Sequence, residues 1–241
     1  MKKLFCLSVS CAVMLVVALS SCSSDESVDN QPEFGHDLGV SPRLADSKKT
    51  TIDGIETVRD GMGNIRTIYF MDEEKAPSTA TELFNQYMGV APDGNLRLYK
   101  KTDERPSSPI TSESYQQVYK GVVVYRNDYS VRFKNGKVTD ANGSFLTIDG
   151  LEVTPALDEL TAKEIYANYL DVPVETIGAL CNLNDGEALL IAEFPVAKGS
   201  SQWAPRLVYA LSCNIVSSEG YCMIDAHTGR LLLTWANYIN N

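Results

Sequence analysis

The alternation of apolar and polar positions divides the chain into an apolar run, a polar stretch and two folded halves. Residues 4–19, LFCLSVSCAVMLVVAL, follow Lys2 and Lys3 and are too short and too early for an ordinary spanning helix. That pattern predicts a signal peptide over 1–21. The polar stretch has almost no periodicity and is rich in Ser, Asp and turn formers, which predicts a flexible tether over 22–50. Ile52, Ile55, Val58, Ile65, Ile68 and Phe70 are strand-type positions around the turn DGMGN, the pattern of a hairpin. Leu83, Phe84, Tyr87 and Met88 recur at helical spacing between Pro77 and Gly89, so a helix is predicted over 77–88. Leu96 and Leu98 alternate in a strand, and RPSSPITSES reads as a loop.

The stretch YQQVYKGVVVYRNDYSVRFKNGKVTDANGSF, residues 115–145, reads as consecutive hairpins. Strands alternate at 115–119 and at Tyr129, Val131 and Phe133, while Val122–Tyr125 is continuously apolar. Lys120-Gly121, Arg126-Asn127-Asp128, Asn135-Gly136 and Asn142-Gly143 are the expected turns. Asn-Gly is the strongest of these signals, because both residues tolerate positive φ. An antiparallel meander over 115–148 follows. The second half opens with a helix whose Thr161 and Glu164 have the spacing of a capping box. Ile165, Tyr166, Tyr169 and Leu170 form its apolar stripe, and Pro173 ends it. EALLIAEFPV, APRLVYALSCNIV and the text from Gly220 to Tyr238 are strands. A tight turn at Asp225–Gly229 is closed by the Asp225 carboxylate on the Thr228 or Gly229 N–H. A helix followed by antiparallel strands, once per half, predicts an α+β fold of two modules, over 51–150 and 151–241.

Charge and reactive residues narrow the function. The chain carries −10, and removal of residues 1–21 takes Lys2 and Lys3 and no acids, leaving −12. Such acidity disfavours phosphate neutralisation, so no nucleic-acid partner is expected. Six cysteines reduce to Cys181, Cys213 and Cys222 once Cys6 and Cys11 leave with the signal and Cys22 is set apart. Only His36 and His227 are histidines, and there is no H-E-x-x-H, G-x-S-x-G or P-loop. No catalytic residue, metal site or cofactor is therefore predicted. A hairpin turning on Ser217-Ser218 would set Cys213 opposite Cys222, as a cross-strand disulfide or as two small buried thiols. His227 is expected at the surface.

Four resemblances attach to particular residues. Leu19-Ser20-Ser21-Cys22 resembles a bacterial lipobox, which implies lipidation (palmitate and diacylglycerol) at Cys22 and attachment to the cell envelope through a lipid anchor. Asp25 and Glu26 resemble the acidic export signal of Bacteroidetes surface lipoproteins. Residues 115–145 resemble the fungalysin/thermolysin propeptide (FTP) motif through Gln117, Tyr119, Gly121, Val122, Val124, Gly136, Val138, Asn142 and Gly143. The second half resembles the PepSY propeptide module through Arg206, Leu207 and Tyr209 and through Asp225, Ala226, Thr228, Gly229 and Leu232. Together these imply an FTP-like module followed by a PepSY-like one, as in the pro-region of thermolysin-like secreted metalloproteases. The sequence ends at Asn241 without the H-E-x-x-H domain that follows such pro-regions.

The resulting expectation is a non-catalytic, membrane-anchored binding protein, an inhibitor or folding assistant of a secreted metalloprotease. A sheet edge would pair with the protease, and the tail would enter its cleft, with Trp235, Tyr238 and the Asn241 carboxylate as partner-binding groups. The alternative is a structural or small-ligand-binding surface lipoprotein; a pocket between the modules would favour it.

Overall fold

The structure, a computed structural model, describes residues 31–35, 39–102, 109–180, 187–213 and 220–236. It is α+β, built from two helix-on-sheet halves that share one sheet. The first half contains β1 (Ser47–Ile52), β2 (Ile55–Asp60), β3 (Ile65–Phe70), β4 (Leu96–Thr102), β5 (Ile110–Tyr119), β6 (Val122–Lys134) and β7 (Lys137–Gly143). The second contains β8 (Ile177–Ala179), β9 (Leu189–Pro195), β10 (Trp203–Cys213), β11 (Gly220–Asp225) and β12 (Leu231–Ala236). The order is β1-β2-β3-β7-β6-β9-β10-β11-β12, with β5 and then β4 on β6, and β8 on β10. Pairing is antiparallel within each half, and the halves join through a parallel contact of Val124 with Ile191.

Helices cover one face of each half. Short helices α1 (Pro42–Ala45) and α2 (Ala80–Leu83) belong to the first half, and α3 (Glu159–Leu170) to the second. The helix predicted over 77–88 begins only at Ala80, where Thr79 Oγ1 accepts from Glu82 N, and it widens into a π turn over Phe84–Met88. Leu83 and Phe84 reach the core of Ile68, Val131 and Ala141. α3 carries Ala162, Tyr166 and Ala167 into a second core with Leu207, Leu211 and Ile224. A third core lies on the opposite face of β9–β12, around Leu190, Phe194, Val208 and Leu232. β6 passes between two of these: Val124 packs in the α3 core and Val123 in the third. A strand buried on both faces has no polar side to alternate with, which is why Val122–Tyr125 reads as a continuous apolar run.

Several expectations need correction. Within the tether predicted over 22–50, the described residues are structured. Glu33 and Phe34 donate N–H bonds to Leu231 and Leu232 on β12, and residues 47–50 lie in β1. Arg43 is buried and bonds Asp60, Glu193 and Asn127. The polar composition there supplies ion-pair partners and turns rather than slack. β1 and β2 form an extra hairpin on Asp53-Gly54, both at positive φ. Residues 110–114, expected as loop, extend β5. Arg126-Asn127-Asp128 does not turn the chain: Arg126 takes φ 58° and β6 continues past it. Asn142-Gly143 stays in β7. The cap of α3 is Asp158, whose carboxylate accepts from Thr161 N, so Thr161 is not the cap. The final turn holds as predicted, with His227 N and Thr228 N both donating to Asp225 Oδ1.

Candidate functional site

The stretch that resembles a propeptide forms β5, β6 and β7, and most of its distinctive residues build the sheet. Lys120-Gly121 and Asn135-Gly136 are positive-φ pairs at the two hairpin turns, as their sequence predicts. Gln117 sits opposite a bulge of β6, where the register shifts between Gln116 and Val118 and residues 124–127 of β6 face this one residue. Its amide is buried and bonds both backbone groups of one residue: Nε2 donates to Leu146 O at 2.7 Å, and Oε1 accepts from Leu146 N at 2.8 Å. Gln117 therefore fixes the chain as it leaves the first half for the second. Gly143 is needed for close approach rather than for a turn, because a Cβ there would lie 1.9 Å from Asp128 O. Tyr129 is buried at the same place, and its hydroxyl donates to Ile65 O. Burial and the nearby Asp60 charge push that phenol well above its usual range.

β4 lies at one limit of this sheet. Among the described residues it pairs only with β5, so its other backbone edge carries no strand. Leu98 and Tyr99 are about half exposed there. Tyr99 sits at a bulge, where the register with β5 shifts between Leu98 and Lys100. Lys101 pairs with Glu113 at 2.9 Å, a short surface ion pair on this strand. Lysines on an edge discourage indiscriminate strand pairing and leave selective pairing to a complementary partner. β1, at the end of the strand order, likewise pairs with one strand only among the described residues, and it is short and largely exposed.

The remaining predicted site residues are spread over the molecule. Cys22, Tyr238 and Asn241 lie outside the described residues. Trp235 is in β12, where its ring contacts Tyr221 at 5.7 Å and packs against the third core, so it is not a free tail anchor. Cys213 and Cys222 are buried and free. The hairpin register is two residues away from that expected: Cys213 faces Gly220, and Cys222 faces Leu211. The thiols are thus diagonal, not opposite, and of the two expected states they take that of small buried thiols. Burial raises the Cys222 thiol well above its ordinary value, the reverse of an activated nucleophile. The ring of His227 contacts Thr154 O at 3.1 Å and is part-buried rather than fully at the surface. Among the described residues no three His, Cys, Asp or Glu side chains converge as metal ligands would.

Comparisons with known proteins bear on the same sheet. Residues 100–145 match the model of the Fungalysin/Thermolysin Propeptide Motif, from the end of β4 through β7. No curated protein sequence matches the chain. Among solved structures, the Bacillus megaterium YpeB C-terminal domain is similar at a TM-score of 0.33 and 12% identity, covering 79% of this chain and 81% of that one.

Proposed function

We propose that the protein is a non-catalytic, propeptide-like binding protein of the bacterial cell envelope, anchored by lipid at Cys22, whose partner is a thermolysin-like secreted metalloprotease. The observation that carries this reading is the propeptide motif over residues 100–145, which coincides with a sheet ending in an open edge at β4. Binding proceeds by strand addition. A segment bordering the protease cleft adds along the outer side of β4, while the half-exposed Leu98 and Tyr99 supply side-chain contacts. The sheet itself needs no reorganisation, since Gln117, Gly143 and the two positive-φ turns hold it. Tyr238 and Asn241 serve as secondary contacts. The outcome is inhibition or assisted folding, according to whether the protease is already native.

The test uses the chain from Ser23 onward, without the anchor, against purified thermolysin-like metalloproteases. Peptidase inhibition and recovery of activity from denatured enzyme are both followed. Saturable binding is expected, and Leu98→Asp with Tyr99→Asp weakens it by at least about tenfold, the equivalent of roughly 1.4 kcal/mol. Removal of 237–241 weakens inhibition more than binding. Absence of binding, inhibition and recovery alike would refute the reading.

A further inference from the structure

β12 stands at the end of the strand order and pairs, among the described strands, with β11 alone. Its far side is not bare. A tight turn, Pro32-Glu33-Phe34-Gly35, closes through Gly35 N donating to Pro32 O at 3.2 Å and lies against the strand. Glu33 N donates to Leu231 O at 2.9 Å, Phe34 N to Leu232 O at 2.8 Å, and Thr234 N to Gly35 O at 3.1 Å. The turn thus occupies backbone groups that an end strand otherwise leaves open.

The two central side chains of the turn are both recognised by the sheet. The Phe34 ring lies 5.7 Å from that of Phe194 and packs on the third core, and the Arg206 guanidinium stands 5.7 Å from its centroid. Glu33 Oε2 is 3.5 Å from Arg230 Nη1 and 4.0 Å from Arg206 Nη1. Arg206 is shared with Asp225, whereas the Arg230 guanidinium has Glu33 as its one partner among the described residues. Two cations beside an apolar seat for one ring specify an acidic residue followed by an aromatic. The fit of the carboxylate is loose. Glu33 Oε2 is buried and forms no hydrogen bond, and ion pairs at these distances offset its desolvation only in part. Gly35 takes a φ of 73°, and a Cβ there would meet nothing within 4 Å.

We propose that this edge is a docking site for a turn of another polypeptide that carries an acidic residue followed by an aromatic, and that residues 32–35 occupy it in cis as a replaceable stopper. Tethering gives the chain's own turn a high effective concentration, so an outside turn enters where it fits better or where the stopper is withdrawn. The site does not use β4 and is independent of the protease reading, and its test contains no protease.

A fluorescein-labelled peptide of residues 29–37, DNQPEFGHD, is titrated at pH 7 into the chain from Ser23 onward, with binding read by fluorescence anisotropy. The parent is compared with Glu33→Arg plus Phe34→Ala, which withdraws the stopper by setting a cation against Arg206 and Arg230 and removing the ring. The withdrawn chain binds the peptide saturably and at least about tenfold more tightly than the parent does. Peptides carrying Glu33→Arg or Phe34→Ala bind it at least about tenfold more weakly. Adding Arg230→Glu, on a side chain 62% exposed, weakens the natural peptide and strengthens the one with Glu33→Arg. Each variant is first checked for a native melting transition, and should the double variant not fold, Phe34→Ala alone replaces it. No saturable binding to the withdrawn chain, equal binding to the parent, or equal affinity for the three peptides would each overturn the proposal. So would a dimer of the parent that disappears with Glu33→Arg and Phe34→Ala, since a second copy's turn would then be the occupant.

Discussion

Gly143 leaves no room for a side chain, and its neighbours are backbone. The Asp128 carbonyl and the Tyr129 Cα lie 1.9 and 2.8 Å from where a Cβ would stand. Gly143→Ala therefore forces β6 and β7 apart, and overpacking of this kind costs about 3 kcal/mol. Gly136→Ala meets open space and pays only for its φ of 73°, about 1–2 kcal/mol. Urea denaturation of both variants checks the order; a milder effect at 143 than at 136 would contradict the packing. The two glycines share the same dipeptide, Asn-Gly, and the sequence pattern assigns both to turns. Only the first pair takes positive φ. What separates them is a neighbouring strand, which no local signal records. The role of Gln117 is illegible in the sequence for the same reason: its partner, Leu146, is 29 residues away.

At the scale of elements, strands are legible where one face meets solvent and obscure where both are covered. Tyr129, Val131 and Phe133 alternate inward as their period requires. Arg126-Asn127-Asp128 misleads because a bulge and a turn draw on the same residue types. Here the bulge presents Asn127 to Arg43 and Ser144. Helix α3 gives a sharper test. Two spacings compete for its start, Asp158 with Thr161 and Thr161 with Glu164, and the chain uses the first. Asp158→Ala lowers the thermal midpoint by a few degrees, whereas Thr161→Ala leaves it near the parent value. The N–H bond from Thr161 holds the Asp158 carboxyl below its ordinary 3.8. A depressed carboxyl stabilises the fold above its unfolded pKa and loses that contribution as pH falls through the folded one. The gap between parent and Asp158→Ala thus closes in strong acid, as melting curves from pH 7 down to 2 would show.

On the scale of the molecule, the segment expected to be slack clasps both halves. Residues 33 and 34 lie beside β12, and Arg43 ties α1 to β2, to the β6 bulge and to β9. If Cys22 bears the proposed anchor, only eight residues lie between it and Gln31. At most about 30 Å of chain then lies between membrane and folded body, which keeps the β12 end of the sheet near the surface. Arg43 is the residue whose loss tests the clasp. Arg43→Met leaves the buried Asp60 and Glu193 carboxylates without their cation, and breaking such a pair costs about 3–5 kcal/mol. A second change, Glu193→Met, removes one orphaned charge and restores part of that loss. Asp60 keeps the backbone N–H bonds from Met62 and Asn64, so its remaining cost is smaller. Denaturant unfolding followed by tryptophan emission and by far-ultraviolet circular dichroism distinguishes the cases. The parent unfolds with both signals together. Arg43→Met separates them, because Trp203 and Trp235 are in the second half while the Arg43 side chain binds the first half to it. Coincident transitions with less than about 1 kcal/mol of destabilisation would mean that the β6–β9 contact alone joins the halves, and that Arg43 is not the clasp.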